Sequence, residues 1–139
     1  MIYYAYPDSD AADVLDYDFT EVYGSLSYDF GPAALTGGVN YSSDFFGFNT
    51  GNATYLYVGL DIPLPNEFGL GFHYGDQSID GENGASDFDY NDWKVSLTKS
   101  LGGFDFDLSY TDTDLNDNTD CGGLNICDDR FIFTISKSL

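Results

Sequence analysis

Apolar and polar residues alternate one by one along most of the chain, as they do in a β-strand whose two faces meet different surroundings. Residues 104–111 are typical: Phe104, Phe106, Leu108 and Tyr110 alternate with Asp105, Asp107, Ser109 and Thr111. Glycine, proline and asparagine interrupt the alternation at regular intervals. The pattern predicts eight β-strands, at about 2–6, 17–29, 33–44, 53–63, 68–78, 91–101, 103–113 and 129–139.

The connections between these predicted strands alternate in length. Tight turns fall at 29–32, 64–67 and 101–103, and long loops fall at 7–16, 44–52, 79–90 and 115–128. In an up-and-down meander this order places every long loop at one end of the sheet. Short turns at one end and long loops at the other are typical of outer-membrane barrels, whereas a soluble β-sandwich has no reason to keep this order.

Composition narrows the class of protein. The 139 residues include 24 Asp plus Glu against 4 Lys plus Arg, for a net charge of −20, together with 12 Tyr, 12 Phe and 1 Trp. So many aromatic side chains argue against a disordered acidic chain. Four cationic residues cannot form the basic surface that nucleic acid requires, so we exclude nucleic acid as a partner. We expect one all-β domain over residues 1–139.

Membrane-spanning helices are excluded, because no apolar run approaches the roughly 18 to 20 residues that a spanning helix needs. A spanning strand needs only about 9 to 11 residues. The start, Met1 to Tyr6, has no basic residue before its short apolar stretch, so we expect no signal peptide there. The domain is then either a shortened barrel or the later part of a longer one.

Two details favour a transmembrane barrel over a sandwich that buries its apolar face between layers. The polar face is rich in Gly and Ser, which suit a crowded interior, and aromatic residues gather near strand ends, where membrane interfaces would lie. We therefore predict an all-β, antiparallel, up-and-down transmembrane β-barrel of about eight strands. The predicted lumen-facing polar residues are Glu21, Asn40, Asp61, His73, Lys94, Asp105 and Asp107.

Seven stretches, spread in order over nearly the whole chain, resemble the proteobacterial TorF-like porin family. They are 17–23 (Tyr-Asp-Phe-Thr-Glu-Val-Tyr), 43–47 (Ser-Asp-Phe-Phe-Gly), 62–65, 89–96 (with Asp92-Trp93-Lys94), 99–104, 112–115 and 135–138. The resemblance implies an outer-membrane barrel of a Gram-negative bacterium, surrounded by lipid and engaged in transport. Members of that family are longer, with strands ahead of the point where this chain begins, and no catalytic or ligand residues carry over.

Strand number limits the expected function. Side chains just fill the interior of an eight-stranded barrel, so a chain closing alone would form a packed structural barrel. With strands from upstream or from a second copy docked at the open edge of residues 3–6, the acidic lumen would instead be a narrow path that prefers cations. We expect passive passage of small polar solutes or cations, or a filled structural barrel.

Cys121 and Cys127 bracket residues 122–126 in the acidic last long loop. Because the periplasm is oxidising and His73, the single histidine, is distant in sequence, we predict a disulfide and not a zinc site. For His73 itself two interpretations stay open: a hydrogen-bonded residue of the polar face, or a metal ligand or proton acceptor.

The long loops carry most of the carboxylates. The sequence pattern assigns Asp92 to these loop carboxylates. Asp112, Asp114 and Asp117 have a spacing that resembles a calcium loop, but the Gly and closing Glu of an EF-hand are missing. Two interpretations of these carboxylates stay open: they bind Ca²⁺, or they only keep the surface hydrated. A soluble or surface-attached acidic module that binds Ca²⁺ and a ligand through its loops is the alternative function. We find no nucleophile elbow, histidine metal motif or P-loop, and so expect neither an enzyme nor another cofactor.

Overall fold

The computed structural model describes residues 1–6, 18–45, 51–80, 89–117 and 119–137. These residues form eight strands, which confirms the number and approximate positions predicted from the alternation. They are β1 Ile2–Tyr4, β2 Phe19–Asp29, β3 Ala34–Ser42, β4 Asn52–Leu64, β5 Phe68–Asp80, β6 Tyr90–Leu101, β7 Phe104–Thr113 and β8 Arg130–Ser136. The predicted loop at 7–16, and most of those at 44–52 and 79–90, lie outside the described residues.

All eight strands belong to one antiparallel sheet, and each pairs with its neighbours in the chain, in the order β1 to β8. This meander places the short connections after β2, β4 and β6 at one end of the sheet, which we call the turn end. The longer connections after β1, β3, β5 and β7 lie at the other end, which we call the loop end. The predicted separation of long and short connections is therefore present.

The tight turns use residues that accept a left-handed backbone. Gly102 and Gly103, with φ of 62° and 79°, link the paired residues Leu101 and Phe104 in a two-residue hairpin. Asn66 and Glu67 both have φ of 61° in the turn between β4 and β5. These turns fix the register, and so decide which side chains share a face.

The sheet is not closed, which corrects the prediction of a barrel for the described residues. β1 pairs only with Phe19, Thr20 and Glu21 of β2, and β8 pairs only with β7. The physical reason is the length of β1: three residues leave the edge of β2 from Val22 to Asp29 without a described strand beside it. The open edge expected at residues 3–6 therefore extends along β2.

The two faces of the sheet have inverted burial. The face that carries Leu56, Val58 and Leu108, here called the outer face, is exposed to an extent of 53%, 44% and 48% at these residues. The opposite, inner face is polar and more enclosed. Its buried polar residues are Ser42, Gln77, Ser96 and Ser109. Since water-soluble proteins bury apolar side chains first, this polarity is the reverse of theirs.

The small apolar core among the described residues lies at the loop end of the inner face. It contains Phe19, Ala53 and Ile79, and the ring of Phe19 stacks on Tyr4 at 4.5 Å and meets Phe45 edge-on at 5.2 Å. The described residues include no helix long and apolar enough to cross a membrane.

Candidate functional site on the inner face

The pairing register places all seven predicted lumen residues on the inner face. Glu21 and Asn40 lie toward the loop end, His73 and Lys94 near the middle, and Asp61, Asp105 and Asp107 toward the turn end. His73 and Lys94 are direct partners across β5 and β6. The seven residues are therefore spread over the whole inner face and do not form one cluster.

A compact polar cluster does form around His73. The Tyr55 hydroxyl lies 2.8 Å from His73 Nε2 and 2.8 Å from Asp92 Oδ2, and His73 Nε2 lies 3.4 Å from Asp92 Oδ1. We call Tyr55, His73 and Asp92 the central cluster. Its residues come from β4, β5 and β6, so three adjacent strands hold their positions.

One proton decides the direction of these hydrogen bonds. The Tyr55 hydroxyl has a single hydrogen, and the Asp92 carboxylate can only accept. The hydroxyl therefore donates to Asp92 Oδ2, and the Nε2–H of His73 donates to the Tyr55 oxygen. Each polar group of the cluster has a partner in this arrangement, and the side chains of His73 and Asp92 are 29% and 22% exposed.

Glycine makes room for the tyrosines of the inner face. A methyl group at Gly75 would lie 2.6 Å from Asp92 Oδ2 and would press on the Tyr55 hydroxyl, and one at Gly38 would lie 2.6 Å from Cε1 of Tyr57. The rings of Tyr55 and Tyr57 are 6.0 Å apart, and each also stacks near His73. The inner face is thus a row of flat rings set against glycine backbone.

A groove of about 660 Å³ continues from this row toward the turn end. Small and hydroxylated residues line it on β5 and β6, with Asp61 on β4. The residues of this groove that matter for its chemistry are Asp61, Gly69, Gly71, Ser96, Thr98 and Ser100. Apolar residues, among them Ile62, Leu64 and Phe68, form the rest of the wall, so the groove has a mixed surface that offers hydroxyl and carboxylate oxygens to water or a small polar solute.

Sequence reasoning missed two members of the central cluster. Asp92 was counted with the loop carboxylates, whereas it lies in β6 beside Gly75. Tyr55 lay on the predicted polar face but was not singled out. The available signal was the alternation itself, which puts Tyr55 and Tyr57 on the side opposite to Leu56 and Val58. Their contact with Asp92, 37 residues away, follows only from the register.

The cysteine pair behaves as predicted. Cys121 and Cys127 lie at disulfide distance, with Cα atoms 6.4 Å apart. Asp117 approaches both sulfur atoms, within 4.8 Å, and its carboxylate accepts a hydrogen bond from the backbone N–H of Cys127 at 3.1 Å. Because each sulfur is bonded to the other, neither is a thiolate that could bind zinc.

The three carboxylates of the predicted calcium loop have separate partners. Asp112 accepts from the N–H of Thr113 at 2.9 Å, and Asp114 accepts from both N–H groups of Asn91, backbone and side chain, at 2.7 and 2.9 Å. The Asp117 carboxylate accepts the hydrogen bond from the backbone N–H of Cys127 described above. In the described part of the chain, these three carboxylates do not gather within 4.8 Å of one another.

The charges around this loop shift two acids in opposite directions. The hydrogen bonds from the side chain and backbone of Asn91 hold the pKa of Asp114 below its ordinary value of 3.8. The negative charge of Asp117 raises the pKa of Asp128. The Asn91–Asp114 contact therefore favours the ionised carboxylate, while the Asp117–Asp128 contact disfavours it.

Together these features define an antiparallel β-meander with an exposed apolar outer face and a polar inner face that carries a tyrosine–histidine–aspartate cluster. The chain belongs to the Gcw_chp family, described as a bacterial protein of unknown function, whose model matches residues 1–139. Comparisons with curated proteins and with solved structures gave no match.

Proposed function

We propose that this chain forms the wall of an outer-membrane β-barrel in a Gram-negative bacterium, with lipid against its outer face and a polar lumen along its inner face. The observation that carries the proposal is the inverted burial of the two faces. Each apolar Å² left in water forgoes about 25 cal/mol, so an outer face covered by Leu, Val and Phe calls for an apolar cover. Lipid chains supply that cover without a second protein layer.

The dimensions of the outer face fit a bilayer. The outer face of β4 is apolar from Leu56 to Leu64, a span of nine residues that agrees with the roughly 9 to 11 residues of a tilted membrane-spanning strand. Of the outer-face carboxylates, Asp80 lies toward the loop end beyond this band, whereas Asp76 pairs with Leu56 at the loop-end limit of the band and Asp112 pairs with Trp93.

Aromatic residues border the band at its loop end. Trp93 pairs with Tyr74 across β5 and β6, its ring lies 5.4 Å from Tyr110, and the ring of Tyr110 lies 4.8 Å from Phe131. A row of Tyr, Trp and Phe at one height is the arrangement of an interfacial girdle. At the turn end, Lys99 lies over the ring of Phe68, at 4.7 Å, where its ammonium can reach headgroups.

The charge of the inner face favours cations. Acidic side chains outnumber basic ones among the inner-face residues of β2 to β8: Asp29, Glu21, Asp61, Asp92, Asp105 and Asp107 against Lys94 and Arg130, with His73 close to Asp92. Passive passage of small cations or polar solutes is the function that this face supports best, once further strands complete and widen the barrel. The TorF-like resemblance agrees with this function.

Conductance in a planar bilayer tests the proposal. The full chain, extracted with detergent, should migrate differently on gels before and after heating and should conduct cations in preference to anions. Replacing Asp105 and Asp107 by Asn should lower the cation preference, because both carboxylates face the lumen. The matched control is Asp112→Asn on the outer face, which should leave selectivity unchanged.

Two results would contradict the proposal. A folded chain that stays in buffer without detergent would reject the membrane assignment and return us to the soluble, calcium-binding alternative. A chain that folds in detergent but conducts nothing would reject the pore and leave a filled structural barrel.

A further inference from the structure

We propose that Tyr55, His73 and Asp92 form a binding site for a divalent transition-metal cation of the zinc type. The three side chains offer an imidazole nitrogen, carboxylate oxygens and a phenol oxygen, which lie 2.8 to 3.4 Å from one another on the inner face. Neutral imidazole together with carboxylate is a donor set that Zn²⁺ and its neighbours accept, whereas Ca²⁺ prefers oxygen ligands alone.

The distances between the donor atoms fit such an ion. Ligands bonded at about 2.0 Å in a tetrahedral zinc site lie about 3.3 Å from one another. In the central cluster, His73 Nε2 is 3.4 Å from Asp92 Oδ1, and the Tyr55 hydroxyl is 2.8 Å from each partner. Tyr55 therefore needs to move by only about half an ångström. His73 and Asp92 are the principal ligands, Tyr55 the third, and water completes the shell.

The hydrogen bonds of the cluster hold these side chains together in the absence of an ion. To bind the metal, the imidazole carries its proton on Nδ1 and presents the lone pair of Nε2, so the residue stays neutral. Three paired strands fix the backbone, and the absence of a side chain at Gly75 leaves the room that the Tyr55 hydroxyl and the Asp92 carboxylate occupy. Partial burial of His73 and Asp92 limits competition from water.

Lys94 opposes binding. It pairs directly with His73 across the strands, so its ammonium shares the inner face with any bound cation. Unlike charges at neighbouring sites attract and like charges repel, so removing this ammonium should strengthen metal binding. This sign is specific to a bound cation, because a purely structural hydrogen-bond cluster would show no such gain.

The proposed function is needed only to say that this site faces a lumen; metal binding itself requires the folded sheet alone. The test is calorimetric titration of Zn²⁺ into the full chain folded in detergent, with excess Ca²⁺ present to occupy loop carboxylates. We expect a single site whose affinity falls about tenfold or more in His73→Gln and rises in Lys94→Gln. Asp61→Asn, an inner-face carboxylate outside the cluster, is the matched control and should bind Zn²⁺ as the unmodified chain does.

Absence of Zn²⁺ binding, or equal binding by His73→Gln, overturns the inference. If His73→Gln fails to fold, as judged by its gel shift on heating, Tyr55→Phe replaces it, and unchanged affinity in that variant also overturns the three-residue site. Conductance and zinc binding are separate measurements. If the chain conducts but does not bind Zn²⁺, the pore proposal stands and the metal site is rejected. If the chain binds Zn²⁺ but does not conduct, the metal site stands and the pore is rejected.

Discussion

At the scale of single residues, the inner face depends on pairs of tyrosine and glycine on neighbouring strands. The ring of Tyr57 occupies the space that a side chain at Gly38 would need. Both residues lie within paired strands, Gly38 directly opposite Tyr57, so neither backbone is free to move aside. Glycine is used here for the closeness of a neighbour and not for an unusual backbone angle.

We expect Gly38→Ala to lower the free energy of unfolding by about 1 to 3 kcal/mol, because its methyl group would overlap the ring of Tyr57. Urea unfolding of the detergent-folded chain measures the change. Gly24→Ala on β2 is the control, since a methyl group there meets nothing within 4 Å. If the two variants unfold alike, the tyrosine ring does not depend on Gly38.

Sequence could place these residues on a face but could not join them. Period-two alternation put His73, Asp61 and Lys94 on the polar side, and the register agrees. The central cluster forms only when β4, β5 and β6 pair in the correct register. The turns between the strands set that register, and the type of residue at one position does not reveal it. Asp92 shows the limit: it stands next to Trp93 at the start of β6, where an acidic loop and an acidic strand look the same in sequence.

At the scale of elements, a double contact ties the start of β6 to the end of β7. Asn91 donates its backbone and side-chain N–H groups to the carboxylate of Asp114, while the N–H of Asp114 donates to the Asn91 carbonyl at 3.1 Å. This contact forms where β7 leaves the sheet and the disulfide-bearing loop begins. The disulfide closes a small ring within that loop, and the Asn125 carbonyl in this ring accepts a hydrogen bond from the Arg130 side chain at the start of β8.

Because its pKa is lowered by folding, ionised Asp114 should stabilise the protein above pH about 4 and lose that contribution as the pH falls through its lowered pKa. Asp114→Asn should therefore reduce stability at neutral pH and weaken the loss on acidification. Asp128, whose pKa is raised, has the opposite sign, so Asp128→Asn should be neutral or slightly stabilising at pH 7. The unfolding temperatures of both variants, measured between about pH 3 and pH 7, test these opposite effects. If the two variants depend on pH in the same way, the opposite roles of Asp114 and Asp128 are contradicted.

Strand positions were predictable because turn residues mark the ends of regular alternation, and the direction of each strand then follows by counting. Counting also limits how the ring of strands can close. β2 and β8 run in the same direction, since five alternating strands lie between them, so they cannot pair in an antiparallel manner with each other. Only a strand that runs in the direction of β1 can lie against both open edges.

At the scale of the whole molecule, inverted polarity is the property on which the membrane assignment depends. Adjacent residues of β6 offer a direct comparison: Leu97 points to the outer face, where it is 43% exposed, and Thr98 points to the inner face beside the groove. A charged side chain should therefore destabilise the protein at position 97 and be tolerated at position 98.

Leu97→Arg should destabilise the bilayer-folded chain by about 2 to 4 kcal/mol, because it places a charge against lipid chains. Thr98→Arg, one residue along the same strand, should cost much less, since Thr98 lines the inner-face groove and does not face lipid. Denaturant titration in lipid vesicles measures both variants. A larger loss from Thr98→Arg would mean that water, and not lipid, covers the outer face.

Barrel closure could not be predicted from alternation. The pattern states which face is apolar, but the number of strands that complete a ring depends on what lies beside β1 and β8. For this reason the described residues do not close the predicted barrel, while the predicted all-antiparallel meander of about eight strands is confirmed.

The division of the connections between two rims has a consequence for how such proteins change over time. A residue added at Gly102–Gly103 shifts the hairpin and turns every later side chain of β7 to the wrong side. A residue added within the longer connections leaves the pairing of both flanking strands untouched. One rim is therefore held constant by geometry, and the other is free to diversify, which makes it the natural place for new recognition to evolve.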